Sequence, residues 1–147
     1  QLVNTYDNTI HYSDYVIAEV INKLTQFTRN NTQTINAEMI YVSDHGESLG
    51  ENGLYLHGFP YAIAPVEQTH IPMLFWSSNI QESFENNCLK ESTQLAINHD
   101  NIFHSMLGLL NVDSTTYKTT LDIFNSCDFN ANTINIAKIK LEKNEGF

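Results

Sequence analysis

The sequence predicts an α/β fold in which helices cover a sheet. Three observations lead to this prediction: an amphipathic helical pattern in the first third, two apolar runs of strand length, and a second helical pattern after residue 100. Their order along the chain is helix, strand, long loop, strand, helix, which is typical of an α/β layer. With 147 residues and 41% hydrophobic content, the chain is long enough to form one packed domain.

The first half of the chain supplies one helix and one strand. From Ile10 onward apolar residues recur every three or four positions, which predicts a helix that ends at residues 29–31. Residues 37–43 form a short apolar run between a polar loop and a glycine, which is typical of a strand. Residues 48–72 have no clean period and contain all three prolines, so we expect a structured excursion there.

The second half of the chain repeats this order. Residues 71–76 are apolar without alternation, so we expect a strand buried on both faces. Asp100 is a suitable N-cap for a helix over residues 101–110. That helix carries an apolar stripe that we expect to lie in the core: Phe103, Met106, Leu107 and Leu110. Residues 128–147 alternate only weakly and are treated as a tail without a structural prediction.

The composition excludes several classes of partner. Seventeen acidic residues against seven basic ones give a net charge of −10, so neither nucleic acid nor an anionic membrane surface is a suitable partner. No apolar run reaches the roughly 18 to 20 residues of a membrane span, and no signal-peptide pattern is present. The sequence begins without Met and goes almost directly into helical periodicity. We therefore expect it to be part of a longer protein.

An acid and an imidazole follow the predicted strand over residues 37–43. Ligands of open α/β sheets gather at the carboxyl ends of strands, where Asp44 and His45 stand. Neighbouring strand residues point to opposite faces, so both can reach one site only if the chain leaves extended geometry, which Gly46 permits. Carboxylate and imidazole groups suit zinc or a similar divalent ion. We expect Asp44 and His45 to be metal ligands, with further ligands from elsewhere in the fold.

A second imidazole, His57, follows after a glycine-rich loop that also contains Glu47. It could complete a metal site or bind a phosphoryl oxygen. The alternative is that Asp-His-Gly is only a turn, because this composition is common in turns. The other histidines are expected to lie on the surface or to cap helices: His11, His70, His99 and His104.

Residues 43–78 combine several specific motifs: the loop DHGESLGENG, the following LHG, an AP-x-EQ turn at residues 64–68, and an apolar strand that contains proline. This combination resembles the C-terminal active-site segment of the phosphoethanolamine transferases, which include the mobile colistin-resistance enzymes. The helical segments around residues 6–15 and 99–110 resemble helices of the same family. The resemblance extends from about residue 4 to residue 127.

That family belongs to the alkaline phosphatase and sulfatase superfamily. The resemblance therefore implies the C-terminal portion of an α/β/α sandwich at the periplasmic face of the bacterial inner membrane. It also implies zinc-dependent transfer of phosphoethanolamine from phosphatidylethanolamine to lipid A or a surface glycan, through a covalent intermediate on a threonine, and a link to polymyxin resistance. The family's threonine motif and its N-terminal membrane domain have no counterpart in this sequence. We therefore expect residues 1–147 to be the C-terminal part of the catalytic domain and inactive alone.

The resemblance also assigns roles to individual residues. It implies that Asp44 and His45 are zinc ligands, and that His57 contacts the phosphoryl group or a second zinc. It places Glu47 near the bound phosphoethanolamine. The two cysteines allow one disulfide, and the implied periplasmic location leads us to expect a bridge between Cys88 and Cys127.

Two alternatives to this function remain open. A sulfatase or phosphoglycerol transferase of the same superfamily would share the Asp-His pair, but it is expected to lack GENGLYLHG followed by AP-x-EQ. A non-catalytic metal-binding module is the alternative outside the enzymes. Transmembrane runs and a threonine motif upstream in the reading frame would argue against that module.

Overall fold

The computed structural model describes residues 2–31, 35–79, 85–127 and 139–140. The chain divides into two compact units, Gln1–Ser78 and Asn79–Phe147. The first contains α1 (Leu2–Asn30), β1 (Glu38–Val42), β2 (Ser48–Leu49), β3 (Tyr55–Leu56), α2 (Val66–Thr69) and β4 (Met73–Ser77). The second contains α3 (Glu85–Ser92), α4 (Asp100–Leu109), β5 (Val112–Asp113) and β6 (Ile139–Lys140). Single 3-10 turns occupy Glu51–Gly53 and Thr119–Leu121. Helices and strands are mixed, as the predicted α/β class requires.

Helix α1 begins at Leu2 instead of Ile10 and ends at Asn30, close to the predicted end. The early start reflects the absence of Pro and Gly from residues 2–9, so the polar first turns join the helix without apolar periodicity. At the other end the side-chain amide of Asn31 donates to the carbonyl oxygen of Phe27 at 2.7 Å, which satisfies one of the free carbonyls. No residue of α1 is buried.

None of the helices in the described ranges is both long enough and apolar enough to cross a membrane.

Strands β1 and β4 pair antiparallel, with Val42 opposite Met73. The described residues add no third strand to this sheet. The prediction that β4 is buried on both faces is wrong, because Leu74 is 46% exposed. A two-stranded ribbon by itself does not enclose both of its faces. Beyond the last pair, the backbone N–H of Ser43 donates to the carbonyl oxygen of Pro72 at 3.3 Å. This pairing places the end of β1 beside the segment that enters β4.

Polar contacts join α4 to the segment that follows it in the second unit. The fully buried hydroxyl of Ser105 donates to the carbonyl oxygen of Asn101 at 2.8 Å and accepts from the N–H of Ile123 at 3.0 Å. The Tyr117 hydroxyl donates to a carboxylate oxygen of Asp122 at 2.6 Å. Burial and this acidic neighbour together raise the pKa of Tyr117 to about 12. Buried polar groups are thus paired, which keeps the cost of removing them from water low.

Helix α4 differs from the prediction in its cap and in its buried face. Asp100 is the first helical residue, and the side-chain oxygen of Asn98 accepts its N–H at 2.9 Å. Three of the four residues expected in the core are exposed, 53% at Phe103, 50% at Met106 and 65% at Leu110, whereas Leu107 is half-buried. The covered face instead includes Gly108, where a Cβ would collide with the Asp122 carboxylate. The apolar stripe of α4 predicts an apolar inner face, but within this unit the buried residues of the helix are His104 and Ser105.

His104 is buried, contrary to the expectation of a surface or capping histidine. Its Nδ1 accepts the backbone N–H of Lys118 at 3.1 Å, so the imidazole has a structural partner. The other three histidines are exposed, as expected: His11, His70 and His99.

A disulfide joins Cys88 of α3 to Cys127, with the Cα atoms 5.6 Å apart. Next to it, the buried hydroxyl of Ser92 lies 3.1 Å from the carbonyl oxygens of Cys88 and Ile123. The bridge therefore joins α3 to the segment that packs on α4. It spans 39 residues, a loop long enough for a cross-link to restrict the unfolded chain considerably.

Replacing both Cys88 and Cys127 with serine is expected to lower the free energy of unfolding of the second unit by about 2–4 kcal/mol, because the unfolded chain regains freedom. Urea unfolding followed by circular dichroism measures the loss. A thiol count on denatured, periplasmically produced protein is the companion measurement. Two free thiols per chain would contradict the bridge.

Candidate metal centre

The loop after β1 turns at residues 44–46, where the sequence predicts that the chain leaves extended geometry. The hydroxyl of Ser43 donates to the carbonyl oxygen of His45 at 2.7 Å. One residue later the N–H of Gly46 donates to the carbonyl oxygen of Gln68 in α2 at 3.0 Å. A Cβ at Gly46 would collide with the carbonyl oxygen of Glu67, so only glycine fits this approach. The loop is therefore fastened to the backbone of α2.

This path brings two imidazoles and a carboxylate together. The rings of His45 and His57 stack with their centroids 3.8 Å apart and their planes inclined by 29°. Nδ1 of His57 lies 2.8 Å from a carboxylate oxygen of Glu47, and Nδ1 of His45 lies 2.9 Å from the carbonyl oxygen of Gly46. Both oxygens can only accept, so each Nδ1 carries the hydrogen. A neutral ring then presents its Nε2 lone pair, which fixes the tautomer for ligand binding.

Asp44 lies beside His45 and faces solvent. One of its carboxylate oxygens lies 3.9 Å from Nε2 of His45, and the other accepts the N–H of His45 at 3.1 Å. Its side chain is 90% exposed. Because zinc ligands lie about 2.0–2.2 Å from the ion, two ligand atoms can be at most about 4.4 Å apart. The separation of 3.9 Å therefore permits Asp44 and His45 to share one ion.

Strands β2 and β3 pair antiparallel and form a hairpin between the two histidines, with Ser48 opposite Leu56. One glutamate side chain stabilises this hairpin. A carboxylate oxygen of Glu51 accepts the N–H of Leu49 at 2.7 Å. Hydrogen bonds from the backbone N–H of Glu51 itself and of Leu49 lower the pKa of Glu51, so this contact persists in its charged form. At the end of β3, Leu56 has a φ of 67°, a left-handed conformation that costs a branched residue on the order of 1–3 kcal/mol. His57 follows directly.

The buried side chain of Gln68 joins the hairpin to α2. Its Nε2 donates to the hydroxyl of Ser48 at 2.9 Å and to the carbonyl oxygen of Leu56 at 3.0 Å. Its Oε1 accepts the N–H of Phe59 at 3.4 Å. Gln68 is 6% exposed and Ser48 only 1%. The turn motif that contains Gln68 is visible in the sequence, but its contacts are not, because they join residues up to 20 positions apart.

The donor set suits a divalent cation. One ligand atom from each of His45, Glu47 and His57 can be chosen so that all three lie within 4.8 Å of one another. Imidazole and carboxylate groups are ligands that zinc accepts. The span of up to 4.8 Å is slightly wider than the limit of about 4.4 Å for one zinc ion, so small side-chain rotations would bring all three onto one ion. Asp44 is outside this group but adjacent to it through His45. The structure thus brings all four sequence-predicted residues to one place.

Comparison with known proteins identifies the family. The profile of the Sulfatase family matches residues 1–112. The chain belongs to the sulfatase family. It is similar to phosphoethanolamine transferase EptA of Salmonella typhimurium, with 46% identity over 131 residues that cover 86% of this chain and 23% of the relative. The chain thus spans about a quarter of the length of that curated relative.

Two solved structures are also similar to the chain. One is the C-terminal periplasmic domain of phosphoethanolamine transferase EptC from Campylobacter jejuni, with a TM-score of 0.73, 46% identity, and coverage of 84% of this chain and 38% of that one. The other is the integral membrane protein lipooligosaccharide phosphoethanolamine transferase A from Neisseria meningitidis, with a TM-score of 0.72, 46% identity, and coverage of 86% and 24%. The predicted resemblance and the sulfatase-type α/β fold are therefore confirmed.

The close approach of this sulfatase-family loop to α2 gives a test of the geometry. Gly46→Ala is expected to lower the free energy of unfolding of the first unit by about 1–3 kcal/mol, because the added methyl meets the backbone carbonyl of Glu67, which cannot rotate away. Trp76 is the only tryptophan and lies on β4, so its fluorescence during urea unfolding reports on this unit.

Gly53→Ala is the comparison for that measurement: its Cβ would meet nothing within 4 Å, so any loss of stability there comes from its φ of 76° alone and not from contact with α2. Equal stability of the Gly46 variant and the unmodified chain would show that the loop does not approach α2 as described.

Proposed function

We propose that this chain is part of a zinc-dependent phosphoethanolamine transferase that acts at the periplasmic face of the bacterial inner membrane. The observation that carries the proposal is the convergence of Asp44, His45, Glu47 and His57 within a sulfatase-family domain. Similarity at 46% identity to proteins named phosphoethanolamine transferases supports the choice of group transferred. Phosphatidylethanolamine is the proposed donor, and lipid A or a related surface glycan is the proposed acceptor.

Asp44 and His45 would hold the zinc ion, since their oxygen and nitrogen ligand atoms are close enough to share it. Bound zinc supplies positive charge that stabilises the phosphoryl oxygens and lowers the pKa of the attacking hydroxyl. The exposed position of Asp44 leaves this side of the site open to a substrate headgroup.

The His57–Glu47 pair is proposed to bind the phosphoryl group or a second zinc. Glu47 holds the hydrogen on Nδ1 of His57, so Nε2 of the ring faces the ligand in a fixed orientation. In its protonated form the ring would offer Nε2 as a donor to an anionic oxygen. The stacked ring of His45 keeps this group next to the first metal position.

The covalent step needs a nucleophile, and the family resemblance places a threonine in that role in another part of the whole protein. The threonine oxygen would bond to the phosphorus of phosphatidylethanolamine as its bond to the glycerol oxygen breaks and diacylglycerol leaves. An oxygen of the acceptor would then take the phosphoethanolamine and release the threonine. We therefore propose that transfer requires the whole protein, with its membrane domain, and that residues 1–147 alone do not catalyse it. A role in polymyxin resistance would follow from modification of lipid A.

Hydrolysis of a sulfate ester is the second candidate, because the matching family profile is that of the sulfatases. Release of inorganic sulfate from an aryl sulfate by the whole protein, without headgroup transfer from a fluorescent phosphatidylethanolamine, would favour it.

Replacing Asp44 or His45 with alanine in the whole protein is expected to abolish transfer and to remove at least one zinc per chain, because each change deletes a ligand of the same ion. Zinc content is measured by inductively coupled plasma mass spectrometry and transfer by the fluorescent donor assay. His57→Ala should slow transfer and keep at least one zinc.

His70→Ala is the matched control, because this exposed histidine belongs to the same unit and lies outside the cluster. It should leave zinc content and transfer unchanged. Full zinc content and full activity in the His45 variant would refute the ligand assignment.

A further inference from the structure

Gln68 contacts both chain segments that carry the candidate ligands. Its backbone carbonyl accepts the N–H of Gly46, which lies between His45 and Glu47. Its side-chain amide donates to the carbonyl oxygen of Leu56, the residue before His57. One buried residue of α2 thus holds the loop after β1 through its main chain and the end of β3 through its side chain.

The amide of Gln68 is fixed in one orientation by its partners. The carbonyl oxygen of Leu56 requires the NH₂ group, while the N–H of Phe59 requires the oxygen, so the two ends of the amide cannot be exchanged. The second acceptor, Ser48, is the residue that faces Leu56 across the hairpin. Both strands at the open end of the hairpin are therefore tied to the same amide nitrogen.

These contacts act where the backbone is strained. Leu56 is held at a φ of 67°, and a left-handed leucine persists only where its surroundings enforce it. The hydrogen bond from Gln68 to the Leu56 carbonyl is one such restraint, and it lies one peptide unit from His57. Without it the peptide can relax towards ordinary geometry, which would rotate His57 away from Glu47 and from the ring of His45.

We propose that Gln68 is a positioning residue of the candidate metal centre. Its hydrogen bond to the carbonyl oxygen of Leu56 holds that residue in its left-handed conformation and so fixes the His57–Glu47 pair against His45. Gln68 touches neither a metal nor a substrate; it acts through the placement of His57. The inference deepens the proposed function and rests on it for the metal, whereas the stacking of the two rings tests it independently.

The experiment uses the 147-residue chain with labelled histidine and compares it with Gln68→Met, which keeps an unbranched side chain of similar length but has no amide. Thr69→Val is the matched control, since it removes a hydroxyl that donates to the carbonyl oxygens of Pro65 and Val66 at the start of α2, away from the hairpin. The first readout is the nuclear Overhauser contact between the rings of His45 and His57 in metal-free protein. The second is the affinity of the whole protein, with and without each substitution, for cobalt(II), a spectroscopic substitute for zinc.

The metal-free chain and the Thr69 variant should show the contact between the rings, and Gln68→Met should lose it. Cobalt affinity should fall by about 10- to 100-fold in Gln68→Met, as is usual when a group that orients a metal ligand is removed, and the absorption bands of bound cobalt should shift. Trp76 fluorescence establishes that each variant is folded, and Gln68→Leu, which also lacks the amide that donates to the Leu56 carbonyl, replaces Gln68→Met if that variant is unfolded.

Retention of the contact between the rings in folded Gln68→Met, or in folded Gln68→Leu where that variant replaces it, would overturn the role of Gln68 whether or not cobalt binds. Loss of this contact in the variant, together with a whole protein that binds no cobalt, supports the role of Gln68 and contradicts the proposed metal. The two proposals therefore fail in different ways.

Discussion

The hydrogen bond between the N–H of Gly46 and the carbonyl oxygen of Gln68 is the constraint on which the candidate site depends. Adjacent residues of a strand point to opposite faces, so a strand that simply continued beyond Val42 could not direct Asp44, His45 and Glu47 to one place. Fastening Gly46 to α2 stops the strand and turns the loop. Only a residue without a Cβ can approach the carbonyl of Glu67 closely enough to do this.

Much of the first unit could be predicted from local pattern. The strand over residues 37–43 and the end of the first helix were visible because apolar period and flanking polar residues report directly on backbone geometry. Asp44 and His45 stand out because ligands gather where a strand ends, and His57 because it follows a glycine-rich loop, whereas the role of Glu47 comes from the family resemblance. The stacking of His45 on His57 and the role of Gln68 could not be predicted, since both depend on contacts between residues distant in sequence.

The second unit shows why an apolar stripe is an incomplete guide to burial. Helix α4 buries His104 and Ser105, which bond to the chain over residues 118–123, while Phe103 and Met106 remain about half exposed. A polar side chain can be buried when its polar atoms are hydrogen-bonded, and the hydropathy of a sequence does not show which partners will be available. The capping error at Asp100 has the same origin, because Asn98 supplies the acceptor through a turn of its own.

The location of the metal is the most direct test of the whole account. Crystals of the zinc-loaded protein, measured on both sides of the zinc absorption edge, give an anomalous difference map that shows where the ion lies. The account predicts a peak about 2.0–2.2 Å from Nε2 of His45 and from the Asp44 carboxylate. A zinc peak that avoids His45, or no peak among these four residues in zinc-loaded crystals, would contradict it.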